Sequence, residues 1–166
     1  MIIDNFLTLS GAWASGVWTP QLVTATGNTT STNVIDLANT RQLQAGDFGQ
    51  GEPLEIEISI VNSLTSGGSA TVQFALVQAD DAGITTNVGV LNQTDVYGYA
   101  TLTAGTIVPL HWDRAAPYIA RRYIALRYSV GTAALTNGTG QFIANVVKNI
   151  QDKGANTIFQ SGFTVA

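Results

Sequence analysis

The sequence predicts an all-β fold, an antiparallel β-sandwich or jelly roll with an extended N-terminal arm and a C-terminal tail. Three runs carry that prediction. In Gly51 to Asn62, apolar Leu54, Ile56, Ile58 and Ile60 alternate with Glu55, Glu57 and Ser59 at the two-residue period of a strand. In Thr71 to Gln78, Val72, Phe74 and Leu76 fall on one face and Thr71 and Gln73 on the other. In Arg121 to Val130, Ile124, Leu126, Tyr128 and Val130 point inward while Arg121, Tyr123, Arg127 and Ser129 look out. Strands with one apolar and one polar face belong to antiparallel sheets covered on one side.

Taken in chain order, residues 1–166 form a single domain: an arm and polar link (1–33), a sandwich body (34–147) and a tail (148–166). The arm holds Phe6, Trp13 and Trp18 among small residues without period, so these aromatics are candidates for packing on the chain's own sheet or on a partner. Thr24 to Asn33 is polar and aperiodic, the signature of a link rather than a strand. The body then offers short strands at Val34 to Leu37, Leu54 to Val61, Thr71 to Gln78, Val88 to Leu91, Thr106 to Leu110, Tyr123 to Val130 and Phe142 to Val147. The turn Ser66, Gly67, Gly68 predicts that the second and third of these form a hairpin. Asp81, Ala82, Gly83 and Asn137, Gly138 supply turns where a positive φ is cheap. Phe142, Ile143, Val146, Val147 and Ile150 also fit a helical stripe ending at Gly154, but a strand running into a tail is the preferred reading.

Composition bounds the function. A chain of 166 residues, 45% of them hydrophobic, can bury roughly 70% of its unfolded surface, enough for a core without staples. Cys is absent, which excludes disulfides, thiolate metal sites and thiol nucleophiles. Charged residues are only 11% of the chain, so the surface rests on Thr, Ser, Asn, Gln and Gly and inclines to association. The net charge of -4 argues against nucleic acid as a partner. The opening MIIDNFLTLSGAW carries Asp4 and no basic leader, so it does not read as a signal peptide, and no run is long enough to span a membrane.

The usual catalytic constellations are missing. His111 is the single histidine, too few for a cupin-like metal site, and His111 with Asp113 has no accompanying nucleophile motif. Glu55 and Glu57 share one strand face, whereas a glycosidase needs carboxyls on two sides of a sugar. Asp80 and Asp81 read as an acidic turn, lacking the other oxygens of a calcium loop. The expectation is a protein without catalytic residues, metal or cofactor. What stands out is the crowding of Arg114, Arg121, Arg122 and Arg127 in one segment. Arg121 and Arg127, beside Tyr123, are either interface groups for acidic side chains of another subunit or cross-strand partners of Glu55 and Glu57. The second reading is slightly favoured.

STNVIDL at Ser31 to Leu37, GQGEPLEIEISI at Gly49 to Ile60 and RRYIALRYSVGT at Arg121 to Thr132, in that order and spacing, resemble the jelly-roll capsid cement (head decoration) proteins of short-tailed bacteriophages. The short Met-Ile arm and the Thr/Asn-rich link are similar too, while the arm's extra Trp residues and the length of the tail depart from the pattern. The resemblance implies a structural virion protein, made in the host cytoplasm. It would sit on the outer surface of an HK97-like capsid and bridge neighbouring copies of the major capsid protein as a homodimer or homotrimer. The alternative from a different class is a carbohydrate-binding β-sandwich using Trp13, Trp18 or Trp112 as a sugar platform.

Overall fold

The computed structural model describes residues 7–37, 54–112 and 121–148. Among them lie strands β1 (Thr8–Ser10), β2 (Ala12–Ala14), β3 (Val17–Thr19), β4 (Gln21–Leu22), β5 (Gly27–Thr30), β6 (Ile35–Asp36) and β7 (Leu54–Ile60). They continue with β8 (Thr71–Ala79), β9 (Gly89–Gln93), β10 (Tyr97–Gly98), β11 (Ile107–Trp112), β12 (Tyr123–Gly131) and β13 (Gln141–Val147). Every pairing between them is antiparallel. Phe142 onward is strand as far as Val147, and the alternative helix there does not form.

One sheet runs β1-β13-β7-β11, with β4 also on β13; the other runs β10-β8-β12-β5, with β9 on β8 and β6 on β12. Counting β5 with β6 and β9 with β10, the first strand pairs the last, the second the seventh, the third the sixth and the fourth the fifth. That is one long antiparallel ribbon rolled onto itself, the jelly roll that closes an all-β core without a helix.

The rolled topology overturns the expected hairpin. β7 and β8 follow each other in sequence but lie in opposite sheets, β7 between β13 and β11 and β8 between β12 and the β9/β10 pair. The ten residues between them, 61–70, carry buried Leu64 and Ala70, so the connection passes over the core instead of turning tightly. The polar tract Thr24 to Asn33 also differs from expectation. It holds β5, whose Gly27 to Thr30 pair with Val130 to Arg127, because an edge strand of a sandwich needs no apolar period. From Thr8 onward the stretch read as arm and link is thus woven into both sheets, through β1, β4 and β5.

Between the sheets, Ile56, Ile58 and Ile60 of β7 meet Val72, Phe74 and Leu76 of β8 and Ile124, Leu126, Tyr128 and Val130 of β12. Each such fully buried aliphatic side chain contributes roughly 1.5–3 kcal/mol. At the centre Phe74 lies edge-on to Tyr128 and Phe142, centroids 5.7 Å from each, and Tyr128 and Phe142 are 4.9 Å apart. A second, smaller core covers the outer face of β8 and β12, where Ala75, Val77, Ala79 and Ala125 are buried with Ile84. Those two strands are therefore buried on both faces over part of their length, which single-face alternation did not predict.

Candidate functional site

The most exposed apolar feature is the β2–β3 hairpin, bonded to neither sheet. Its two-residue turn, Ser15 and Gly16, has φ of 53° and 79°, the positive pair that matches the twist of a hairpin. Trp13 and Trp18 face each other in register, ring centroids 5.4 Å apart and planes at 61°. Such an edge-on pair is worth about 0.5–1.5 kcal/mol beyond burial. Gly11 and Pro20 bracket the hairpin, and Gly11 must be glycine, since its φ is +94° and a Cβ there would sit 3.1 Å from the Thr19 carbonyl oxygen. No charged residue lies between Gly11 and Pro20. Trp13 is 50% exposed and Val17 63%, and Leu22 just beyond is also exposed. Of the expected interface aromatics, Trp13 and Trp18 are thus brought together, and Phe6 falls outside the described residues. Trp112 points into the core and is buried, so it cannot join a surface sugar platform, and the tilted Trp13–Trp18 pair offers no shared flat face.

Immediately after the hairpin, Gln21 closes the edge of β5. Its Nε2 donates to the Thr30 carbonyl at 2.8 Å and its Oε1 accepts from the Thr32 amide at 2.9 Å. One carboxamide takes the place of an adjoining strand and joins the β1/β4 edge of one sheet to the β5 edge of the other. At the opposite side of the sandwich, Asn92 Nδ2 donates to the His111 carbonyl at 2.8 Å, joining β9 to β11. On β11, exposed Pro109 withholds a ladder donor from that edge.

The charged groups are arranged differently from expectation. Arg121 and Arg127 do not pair with Glu55 and Glu57: β12 and β7 lie in different sheets, so no register places them side by side. Arg121 Nη1 instead donates to both oxygens of Asp80, at 2.7 and 2.8 Å. Asn87 Nδ2 donates to Asp80 at 2.8 Å, and this bond, then Arg121, holds the Asp80 carboxyl below its ordinary range. Arg122 forks onto Asp36 through Nε and Nη2 at 2.9 and 3.0 Å, and its guanidinium lies 4.9 Å over the Tyr123 ring. Glu55 stands directly across from His111 on β11, 3.2 Å from its Nδ1. Glu57 is 3% exposed, so the face it shares is not the solvated one that the alternation suggested.

Arg127 has different surroundings. It faces Thr30 on β5 and Ala75 on β8, makes no ion pair among the described residues, and its Nε is buried without a hydrogen-bond acceptor. Asp81 organises the turn after β8, accepting from the Thr85 amide and hydroxyl at 3.0 Å each and from the Thr86 amide. The Thr86 amide does most to lower the Asp81 carboxyl to a pKa of about 2. The turn presses Ile84, at a φ of 54°, into the second core. Among the described residues no three His, Asp or Glu converge as metal ligands. The Asp36–Arg122 fork and the Gln21 bridge were not legible in sequence, because each joins residues far apart along the chain or uses a neutral side chain with no motif.

Two comparisons with known proteins bear on this chain. The family model described as Bbp16 matches residues 17–146, from the second strand of the hairpin to the penultimate residue of β13. No curated protein matches it.

Proposed function

The chain belongs to the Bbp16 family, and on that footing we propose that it is a structural virion protein of a bacteriophage, a capsid cement or decoration protein. It binds the outside of an HK97-like head and bridges neighbouring major capsid proteins. The observation that carries the reading is the projecting, charge-free Trp13–Trp18 hairpin on a closed jelly roll. A half-exposed Trp beside an exposed Val is the kind of anchor that fills a partner's pocket, and Trp is among the residues most enriched at energetic centres of interfaces. The ordered resemblance of Ser31 to Leu37, Gly49 to Ile60 and Arg121 to Thr132 to cement proteins supports the same reading.

The mechanism follows from linkage. A protein that binds the assembled, expanded lattice and has little affinity for free or unexpanded subunits stabilises that lattice by its differential binding. Self-association multiplies weak contacts by presenting several grips at once. Emptied phage heads incubated with the purified chain test the proposal. The chain is expected to co-sediment with heads and raise their melting temperature, and Trp13→Ala is expected to weaken both effects while the chain itself stays folded and loses only a few degrees of melting temperature with the ring pair. Heads that neither retain the chain nor gain stability would refute the proposal. Retention of glycans on an array, lost on Trp13→Ala, would favour the carbohydrate-binding alternative.

A further inference from the structure

Asn137 is the one asparagine of the sequence followed by glycine. A following residue without a side chain leaves its amide nitrogen unshielded beside the asparagine carboxamide. Asn137 is exposed, in the connection between β12 and β13, and the Thr139 amide donates to the Thr136 carbonyl at 3.1 Å to close the turn around it. Gly138 has a φ of +84°, which glycine takes at no steric cost. Every other described asparagine is tied by its side chain: Asn28 to Ser129, Asn33 to the Thr8 and Gly11 carbonyls, Asn62 to Gly138 and Gln141, Asn87 to Asp80, Asn92 to His111 and Asn145 to Thr8. Among the described residues nothing bonds the Asn137 carboxamide, or the carbonyl and amide of the peptide that joins it to Gly138. That peptide can turn over and bring the Gly138 nitrogen to the side chain without breaking a hydrogen bond.

We propose that Asn137 is a site of spontaneous deamidation and isoaspartate formation in the folded protein. The Gly138 amide nitrogen gives its proton to hydroxide or water and attacks Asn137 Cγ. The new N–Cγ bond closes a succinimide ring as the Cγ–Nδ2 bond breaks, and the departing nitrogen takes up a proton to leave as ammonia. Water then opens the ring. Attack at Cγ gives aspartate, and attack at the main-chain carbonyl gives isoaspartate, in which the backbone runs through Cβ and Cγ. The net change is one water in and one ammonia out, with no change in oxidation state. Connections 23–26, 61–70, 99–106 and 132–140 meet at this end of the sandwich, where the Leu135 amide donates to Thr24, the Thr136 amide to Thr65 and the Leu64 amide to Leu102, at 2.9, 2.8 and 3.0 Å. None of these connections holds a charged residue, so either product sets a negative charge where they have none. Isoaspartate also lengthens the main chain just before Gly140, whose carbonyl accepts from the Val23 amide at 2.7 Å and which has no room to move toward Val23. The modified form therefore marks the age of the molecule and loosens that contact. This chemistry does not depend on shell binding.

Incubation of the folded full chain in mildly alkaline buffer, followed by digestion and peptide mass spectrometry, tests it. The peptide that carries Asn137 is expected to exchange NH for O and to accept isoaspartyl methyl labelling, at a rate within about tenfold of that in the urea-unfolded chain, because turning over an unbonded peptide costs little. The other asparagines named above are expected to stay unconverted over the same time. Conversion should quicken as pH rises, since the deprotonated amide is the nucleophile. Asn137→Gln is expected to melt as the wild type does and to form no acidic species. Amide exchange at Val23 should be faster in aged protein than in fresh. Asn137 that stays intact in the folded chain while the unfolded chain converts would overturn the proposal, as would an acidic species that still accumulates in Asn137→Gln. Conversion to aspartate with no isoaspartate would overturn the succinimide route, and unchanged exchange at Val23 in the isoaspartate form would overturn the loosening.

Discussion

The Tyr128 hydroxyl donates to Ser10 Oγ at 2.7 Å across the buried centre of the sandwich, with both residues at 0% exposure. This bond ties β1, the strand at the edge of one sheet, to β12 in the middle of the other. It explains how residues so near the N-terminus become part of the fold.

Removing either partner strands the other without water. Tyr128→Phe and Ser10→Ala are each expected to destabilise the chain by about 1–3 kcal/mol, whereas the double variant should recover much of that loss. Urea unfolding of the four proteins gives the coupling. Burial also pushes the Tyr128 phenol above its ordinary pKa of 10.0. Its folded-state pKa is raised, so its stabilising contribution is complete below pH 10 and is lost as pH climbs beyond, which alkaline melting curves should show.

Gly140 has no room for a side chain. A Cβ there would overlap the carbonyl of Val23, whose amide donates to Gly140 at 2.7 Å. Gly140→Ala is expected to cost about 1–3 kcal/mol or more and to lower the melting temperature by several degrees. An unchanged melting curve would mean that the Val23 segment docks less tightly than described.

Gln21 acts as a stand-in strand, and the effect of its loss should be local. Gln21→Ala is expected to lower stability by about 1 kcal/mol and to speed amide exchange at Thr32, with the β8–β12 ladder still protected. Exchange rising equally everywhere would argue against this assignment.

The turn held by Asp81 should loosen in acid. Its folded pKa, about 2, lies below the ordinary 3.8 because the Thr86 and Thr85 amides stabilise the carboxylate. A depressed folded pKa gives stability that is present above 3.8 and lost as pH falls toward 2. Faster exchange at Thr85 and Thr86 over that window, reproduced at neutral pH by Asp81→Asn, is the expected result.

Strong alternation identifies strands wherever one face meets a core, and it placed Leu54 to Ile60 and Tyr123 to Gly131 almost to the residue. It was silent on β5, whose Gly27 to Thr30 are polar because an edge strand can stay polar, and although it located β8 it gave no sign that Ala75 and Ala79 are buried on the face away from the main core. The Trp residues and the arginine cluster were visible as candidates, yet their grouping was not. Trp13 and Trp18 became a pair through a two-residue turn, Trp112 went inside, and Arg121 and Arg122 found aspartates 41 and 86 residues away.

Local chemistry, then, determined by itself that this chain is built of two-faced strands with an aromatic N-terminal stretch and no cysteine, since period and composition act residue by residue. Only the tertiary structure decided which strand lies beside which, that β7 and β8 part into opposite sheets, and that Arg121 and Arg122 meet Asp80 and Asp36. The reason is physical: pairing partners are chosen by closing one core between two sheets, a condition on the whole chain that no short stretch of sequence expresses.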